Sequence, residues 1–347
     1  MVSYGPEHTG FNPVATGPEA PIEVKWRVSD LPSAAARPLV VDDTVYVGTY
    51  SLDPAAGDLR AFSAEGGERR WTFEESKPGV FTPAVVDGTI YVPRTDRKLS
   101  AVARDAEEMH WTFEMTAIPG FPKVTGGTVF VPDFPLKSDE SSTVYAIDAT
   151  SGEEEWRFEG SSGRTPVVAV SDGMVYVGTR GDETVYTLDA ATGAEAWHFE
   201  GAKPAMSDPA VARTTVYVGG ADTNVYALAA DTGEVRWRFE DSKDPFGIPA
   251  VDGETVFIPT GGEKVLYAID ATSGEQRWQF EGQLGIPKIG GDTVYAGSRD
   301  TNVYAVDVAS GEERWRFEDA TAPTTEPGPV GDSLYFGTVE GTLYALS

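Results

Sequence analysis

Apolar and polar residues alternate in short runs along this chain, most clearly in TVYTLDAATGAEAWHFE (184–200), VLYAIDATSGEQRWQF (265–280) and NVYAVDVASGEERWRFE (302–318). In each run the first segment, ending in Asp, has the period-two pattern of a strand. A-x-S/T-G-E then forms a tight turn whose glycine is free to take positive φ, and W-x-F opens a second strand. The unit is a hairpin. A second hairpin precedes it, as in PAVDGETVFIPT (249–260) and PKIGGDTVYAGS (287–298), whose D-G or G-D turn joins two further short strands.

This pair of hairpins repeats along the chain. The eight tryptophans, Trp26, Trp71, Trp111, Trp156, Trp197, Trp237, Trp278 and Trp315, are spaced by 45, 40, 45, 41, 40, 41 and 37 residues, so each marks one repeat. Proline opens the first strand every time, at Pro38, Pro83, Pro122, Pro166, Pro209, Pro249, Pro287 and Pro327. At the start of a strand it withholds no ladder donor. Four strands in about 40 residues predict the blade of a β-propeller. The last repeat ends at SLYFGTVEGTLYALS (333–347) with no W-x-F strand, while IEVKWRV (22–28) stands alone near the beginning. Joining them predicts an all-β, eight-bladed β-propeller of four antiparallel strands per blade. In it residues 22–28 complete the blade formed by 325–347, and 1–21 form an extended arm in front of a single domain, 22–347. The Pro and Gly content of residues 4–17 gives no helix or strand signal.

Composition narrows the function. Asp and Glu number 55 against 27 Lys and Arg, a net charge of −28, while 40% of residues are hydrophobic. The apolar share is too high for a disordered acidic chain, and the charge argues against nucleic acid, which is held by neutralising phosphates. With nine lysines against eighteen arginines, the excess of carboxylate is like that of a haloarchaeal, salt-adapted protein. The lack of cysteine removes disulfides, thiol catalysis and Cys-based metal sites. No apolar run reaches the length of a transmembrane span, and the first twenty residues have neither a basic nor an apolar leader region.

The frame A-x-D-x-x-x-G-x-x-x-W is met in full by Ala146, Asp148, Gly152 and Trp156, by Ala268, Asp270, Gly274 and Trp278, and by Ala305, Asp307, Gly311 and Trp315. It resembles the tryptophan-docking motif of the quinoprotein-like (PQQ-like) propeller repeats, a family that includes methanol and alcohol dehydrogenases and a non-catalytic outer-membrane assembly lipoprotein. The lead-in, residues 4–17, is similar to that of haloarchaeal members. The resemblance implies that each of the eight tryptophans packs structurally onto the neighbouring blade. It also implies a secreted or cell-surface location, and an arm that lies on the ring. Departures at Ser63, Ala229, Ala103 and Glu107 imply less regular turns in blades 1, 5 and 2. Catalytic members are longer and place a vicinal cysteine pair over the quinone with a Glu, Asn and Asp set on calcium, and here there is no cysteine. The resemblance therefore favours the assembly protein over the dehydrogenases: no catalysis, no cofactor and no metal.

Repeated residues build the ring and unrepeated ones decorate it, so function is sought in the second group. Arg94, Arg97, Arg180 and Arg299 fall at second-to-third-strand corners, beside the excursions Ser51–Asp58 and Asp133–Ser142, and suggest an anion-reading rim. Local pairing with Asp96, Asp182 and Asp300 is the competing expectation. Directly after the recurrent proline, only blades 3 and 7 carry a charge, Lys123 and Lys288. If these face a central channel they hold a small anion between them; if they face the packing layer they need acidic partners. The expectation is a scaffold that engages another protein or a cell-surface component through its loop face. The alternatives are a PQQ- and calcium-dependent sugar or alcohol dehydrogenase, and a small-anion or polysaccharide sensor with Phe81, Phe121 and Phe246 at its mouth.

Overall fold

The computed structural model describes residues 5, 7–32, 34–50, 57–73, 79–135, 141–162, 168–179, 182–201, 207–220, 222–240, 243–261 and 264–347. They form eight antiparallel sheets, each with four strands in the expected order, and no helix. The fold class is the eight-bladed β-propeller. Two-residue strands extend three sheets: Ala34–Ala35 in blade 1, Ile118–Pro119 in blade 3 and Phe11–Asn12 in blade 7.

The chain forms two compact units. One comprises residues 113–282 with residues 2–10. It contains blade 3 (Lys123–Thr125, Thr128–Phe134, Ser141–Asp148, Glu154–Ser162), blade 4 (Val168–Ser171, Met174–Gly178, Thr184–Asp189, Glu195–Glu200), blade 5 (Ala210–Ala212, Thr215–Gly219, Val225–Ala229, Val235–Phe239) and blade 6 (Ala250–Val251, Thr255–Pro259, Val265–Asp270, Gln276–Glu281). Its core lies between blades: Val144, Trp156, Val170 and Leu188 pack together between blades 3 and 4, and Tyr217, Trp237, Phe246 and Tyr267 between 5 and 6. The Asp172-Gly173 turn has both residues at positive φ, the backbone that a two-residue hairpin needs.

The other unit comprises residues 11–112 and 283–347. It contains blade 1 (Leu39–Val41, Thr44–Tyr50, Leu59–Ser63, Arg69–Phe73), blade 7 (Lys288–Gly290, Thr293–Gly297, Val303–Asp307, Glu313–Phe317), blade 8 and most of blade 2 (Ala84–Val86, Thr89–Arg94, Lys98–Ala103, Met109–Glu114), whose last strand holds the unit boundary. Blade 8 draws Gly328–Val330, Ser333–Gly337 and Leu343–Leu346 from one end of the chain and Val24–Val28 from the other. Trp26 pairs with Ala345, Arg27 with Tyr344 and Val28 with Leu343, as the joining of the two segments predicts.

The turns correct one expectation. Gly67 donates to the Ser63 carbonyl and Gly233 to that of Ala229 at 2.9 and 2.8 Å, the bond that Gly152 makes to Asp148. Blades 1 and 5 therefore keep the regular backbone; what they lack is the carboxylate, which in blade 3 accepts from the Thr150 and Ser151 amides. Only the turn of blade 2 changes, with Ala106 at φ 61 donating to the Ala103 carbonyl. Sequence also gave no strand signal in the arm, yet Phe11–Asn12 runs parallel to Ile289–Gly290. The pairing is main-chain only, which composition does not encode.

Candidate binding surfaces

The tryptophans serve packing. Trp156 donates its indole N–H to the Ala190 carbonyl of blade 4 at 2.9 Å, Trp197 to Ala230 of blade 5 at 3.0 Å, and Trp237 to Ala271 of blade 6 at 3.0 Å. In the other unit Trp26 of blade 8 donates to Ala64 of blade 1 at 3.1 Å. The ring lies on the turn glycine of the receiving blade: a Cβ at Gly193 would stand 2.7 Å from Trp156, and one at Gly67 2.7 Å from Trp26. That fit gives the motif glycine two reasons, a positive φ and the space the indole fills. Trp315 differs. Blade 8 has no turn between its last two strands, because they come from opposite ends of the chain, and Trp315 donates instead to the carbonyl of Pro18 in the arm at 3.1 Å. Trp111 and Trp278 are buried against Tyr91 and Phe257 of their own blades, and Trp71 meets Tyr46 at 5.9 Å.

The corner arginines separate. Arg94 grips Asp96 through two bonds of 3.1 and 2.8 Å. Arg97, at φ 66, and Arg299 are exposed and have no ion pair among the described residues; Asp300 is engaged by the hydroxyl of Tyr304 at 2.7 Å. Arg180 lies outside the described residues, as do 51–56 and 136–140 of the two excursions. At the base of the second excursion Asp133 is fully buried and accepts from the Thr116 hydroxyl and the Thr143 amide, both at 2.7 Å. Burial raises its pKa despite those bonds. Its surroundings are set by residues distant in sequence, so spacing does not reveal it.

Both first-strand lysines are buried, each in its own unit. Lys123 donates to the Gly5 carbonyl at 3.4 Å. Lys288 lies 3.2 Å from the Glu326 carboxylate, whose other oxygen meets Arg37 Nε at 2.6 Å. An added anion at Lys288 would compete with a carboxylate already in place. Phe246 is core, edge-on to Tyr267 at 5.7 Å.

Several turn charges pair locally. Arg314 binds Asp292 and Asp307, and with the Ser310 bonds holds the Asp307 carboxyl down at about 2. Hydrogen bonds from Ser151 and Thr150 lower Asp148 likewise. A cleft of about 590 Å³ between blades 1 and 2 contains Arg70 and Arg104, but these are paired with Asp43 and Asp42. A second cleft, of about 500 Å³, lies between blades 8 and 1 and is lined by Arg27, Arg60 and Arg69. Among the described residues no three carboxylates or histidines converge. No helix among them is long and apolar enough to cross a membrane.

Eight four-stranded blades define a propeller of PQQ-like repeats. The chain belongs to the family described as outer membrane protein assembly factor BamB, whose repeats match residues 23–133, 55–179, 95–240 and 140–347. It is also 37% identical over 173 residues to the serine/threonine-protein kinase AfsK of Streptomyces griseus, a match covering 45% of this chain and 20% of that protein. The chain thus matches about a fifth of that kinase's length. Among solved structures it resembles the quinohemoprotein alcohol dehydrogenase of Comamonas testosteroni (TM-score 0.83, 15% identity, covering 100% of this chain and 80% of the other). It likewise resembles BamB of Moraxella catarrhalis (TM-score 0.74, 16% identity, 94% and 99%) and a europium-containing methanol dehydrogenase (TM-score 0.81, 13% identity, 100% and 97%). At these identities the structures speak for the fold alone.

Proposed function

We propose that the chain is a non-catalytic scaffold that holds a protein partner through its loop face, at or outside the cell surface. The observation that carries this reading is membership of a family described as an assembly factor, in a chain without the cysteine that the dehydrogenases of this repeat type use. The charge pattern supports it. In the turns, Arg and Asp neutralise one another, whereas exposed arginines without an ion pair among the described residues, such as Arg97 and Arg299, occur at blade corners. Such corners are where a propeller varies without disturbing its sheets. The excess of carboxylate supports a salt-adapted, haloarchaeal origin. Affinity purification with chemical cross-linking tests the scaffold: cross-links from a partner should fall on blade-linking segments, and links confined to the acidic turns would refute it.

The likeness to quinohemoprotein and methanol dehydrogenases favours a second reading, a quinone- and calcium-dependent dehydrogenase. Incubation with PQQ and calcium, followed by dye-linked assay with alcohols and sugars, decides it. The scaffold reading predicts neither quinone fluorescence changes nor turnover.

A further inference from the structure

We propose that the cleft between blades 1 and 2 binds a neutral saccharide, a hexose ring resting against Trp71 with its hydroxyls shared between the Arg70–Asp43 and Arg104–Asp42 ion pairs. The site goes beyond the scaffold reading and does not depend on it. All five residues belong to one compact unit.

The cleft lies where the docking motif fails. At regular junctions the indole lies on a glycine, and a Cβ there would stand 2.6 Å from Trp197 and 2.7 Å from Trp156 or Trp26. The turn that faces Trp71 has Glu107 at that place and takes its positive φ one residue earlier, at Ala106. A residue with a side chain cannot give the indole the same seat. Trp26, Trp156, Trp197 and Trp237 each bond their N–H to a carbonyl of the next blade, whereas the half-buried Trp71 has no hydrogen bond among the described residues. A packed indole normally finds an acceptor. Trp71 instead borders a cleft of about 590 Å³, inside the range of about 300–1,000 Å³ that small-molecule sites occupy.

The polar wall selects the ligand. Arg70 binds Asp43 through bonds of 3.1 and 2.7 Å and the Thr44 hydroxyl at 2.8 Å. Arg104 binds Asp42 at 2.6 Å, the Tyr46 hydroxyl at 2.8 Å and the Val41 carbonyl at 3.1 Å. A guanidinium has about five N–H donors and a carboxylate about four lone-pair positions, so each pair still offers both donors and acceptors. Three aspartates, Asp42, Asp43 and Asp105, border the cleft against these two guanidiniums. An anion has to displace an aspartate, and a cation competes with the arginines for the same carboxylates. A hydroxyl does neither: it accepts from the arginine and donates to the aspartate beside it, and vicinal hydroxyls reach both partners of a pair at once. The C–H face of a pyranose, polarised positively, complements the negative face of an indole. A nucleotide would offer a base to the indole, but its phosphates would meet the aspartates.

The cleft sits between the Asp42–Asp43 turn and the turn of residues 104–107, at the end of blade 2 opposite the corner that bears Arg97. Saccharide and protein partner therefore occupy different ends of the blade.

Saturation-transfer NMR of the full chain with the methyl glycosides of glucose, mannose and galactose, followed by calorimetric titration, tests the site. At least one glycoside should bind, with saturation strongest on its ring C–H protons. Glu107→Gly gives blade 2 the turn residue of its neighbours; blades 1 and 5 receive their tryptophans on Gly67 and Gly233 without the motif aspartate, so this change suffices. It should raise the melting temperature, because Trp71 docks, and weaken binding at least about tenfold, the worth of a hydrogen bond to a charged group. Asp42→Asn/Asp43→Asn removes two exposed carboxylates with a residue that tolerates the φ of 54 at position 42. It should bind at least about tenfold more weakly with unchanged circular dichroism, while Arg97→Glu should bind as wild type. No binding of any of the three glycosides, wild-type binding by Glu107→Gly or by the double Asn variant, an equal loss in Arg97→Glu, or tighter binding of glucose 6-phosphate than of the methyl glucoside each overturns the proposal. Neither cleft variant alters the blade-linking segments, so partner cross-links there report on the scaffold reading separately.

Discussion

The junction between blades 3 and 4 and those around blade 8 do the same structural work with different parts. In the first, the Trp156 indole lies on Gly193, bonds the Ala190 carbonyl and is followed by Arg157, already held by Glu154. Around blade 8, Trp315 finds its acceptor in Pro18 of the arm, and Arg27 has Val24 and Ser29 at the places where other blades hold Glu154 or Glu240. A repeat is free to vary where its chain is interrupted, because no hairpin there must be preserved. The regular junction teaches what holds the fold, and the interrupted one shows where unrepeated chemistry accumulates.

The largest effect should come from removing an indole. Trp156→Ala deletes a buried ring and its hydrogen bond and should cost about 3–5 kcal/mol by denaturant unfolding. Gly193→Ala should follow at about 2 kcal/mol or more, since it adds a Cβ at a positive φ and inside the indole contact; an unchanged midpoint would show that the docking is loose. A smaller effect separates the junctions. Trp315→Phe and deletion of residues 2–18 should couple by about 1 kcal/mol in a double-mutant cycle, the worth of one hydrogen bond, whereas Trp156→Phe and the same deletion should be additive.

The smallest effect is that of pH. The Asp307 carboxyl is held at about 2 against an ordinary 3.8, first by Arg314 and then by Ser310. A depressed carboxylate stabilises the fold fully above its unfolded value and ceases to do so as pH falls through its folded one. The loss therefore belongs to the window from about pH 4 down to pH 2. Protonation of unpaired carboxylates relieves self-repulsion in the opposite direction, so the comparison must be with Asp307→Asn, whose melting temperature should fall less than that of wild type across this window.

Repetition makes the fold legible. Each strand, turn and proline is stated up to eight times, and the completion of blade 8 follows from one W-x-F strand missing at one end and present at the other. The arm was harder to read because much of its bonding is main-chain: Val211 and Val251 donate to the carbonyls of Glu7 and Thr9, and Phe11–Asn12 pairs with blade 7; the few side chains that add to it, such as Asn12 donating to the Pro329 carbonyl, follow no repeat. The corner cations were harder still. Arg94, Arg97 and Arg299 look alike in sequence, and only the folded blades separate Arg94, held by Asp96, from the exposed Arg97 and Arg299.

Hydrogen–deuterium exchange of Trp315→Phe beside Trp156→Phe tests most directly the claim that the interrupted junction is held through the arm. Exchange of residues 11–19 should quicken in the first variant and stay as in wild type in the second. Unchanged exchange of these residues in the first variant would contradict it.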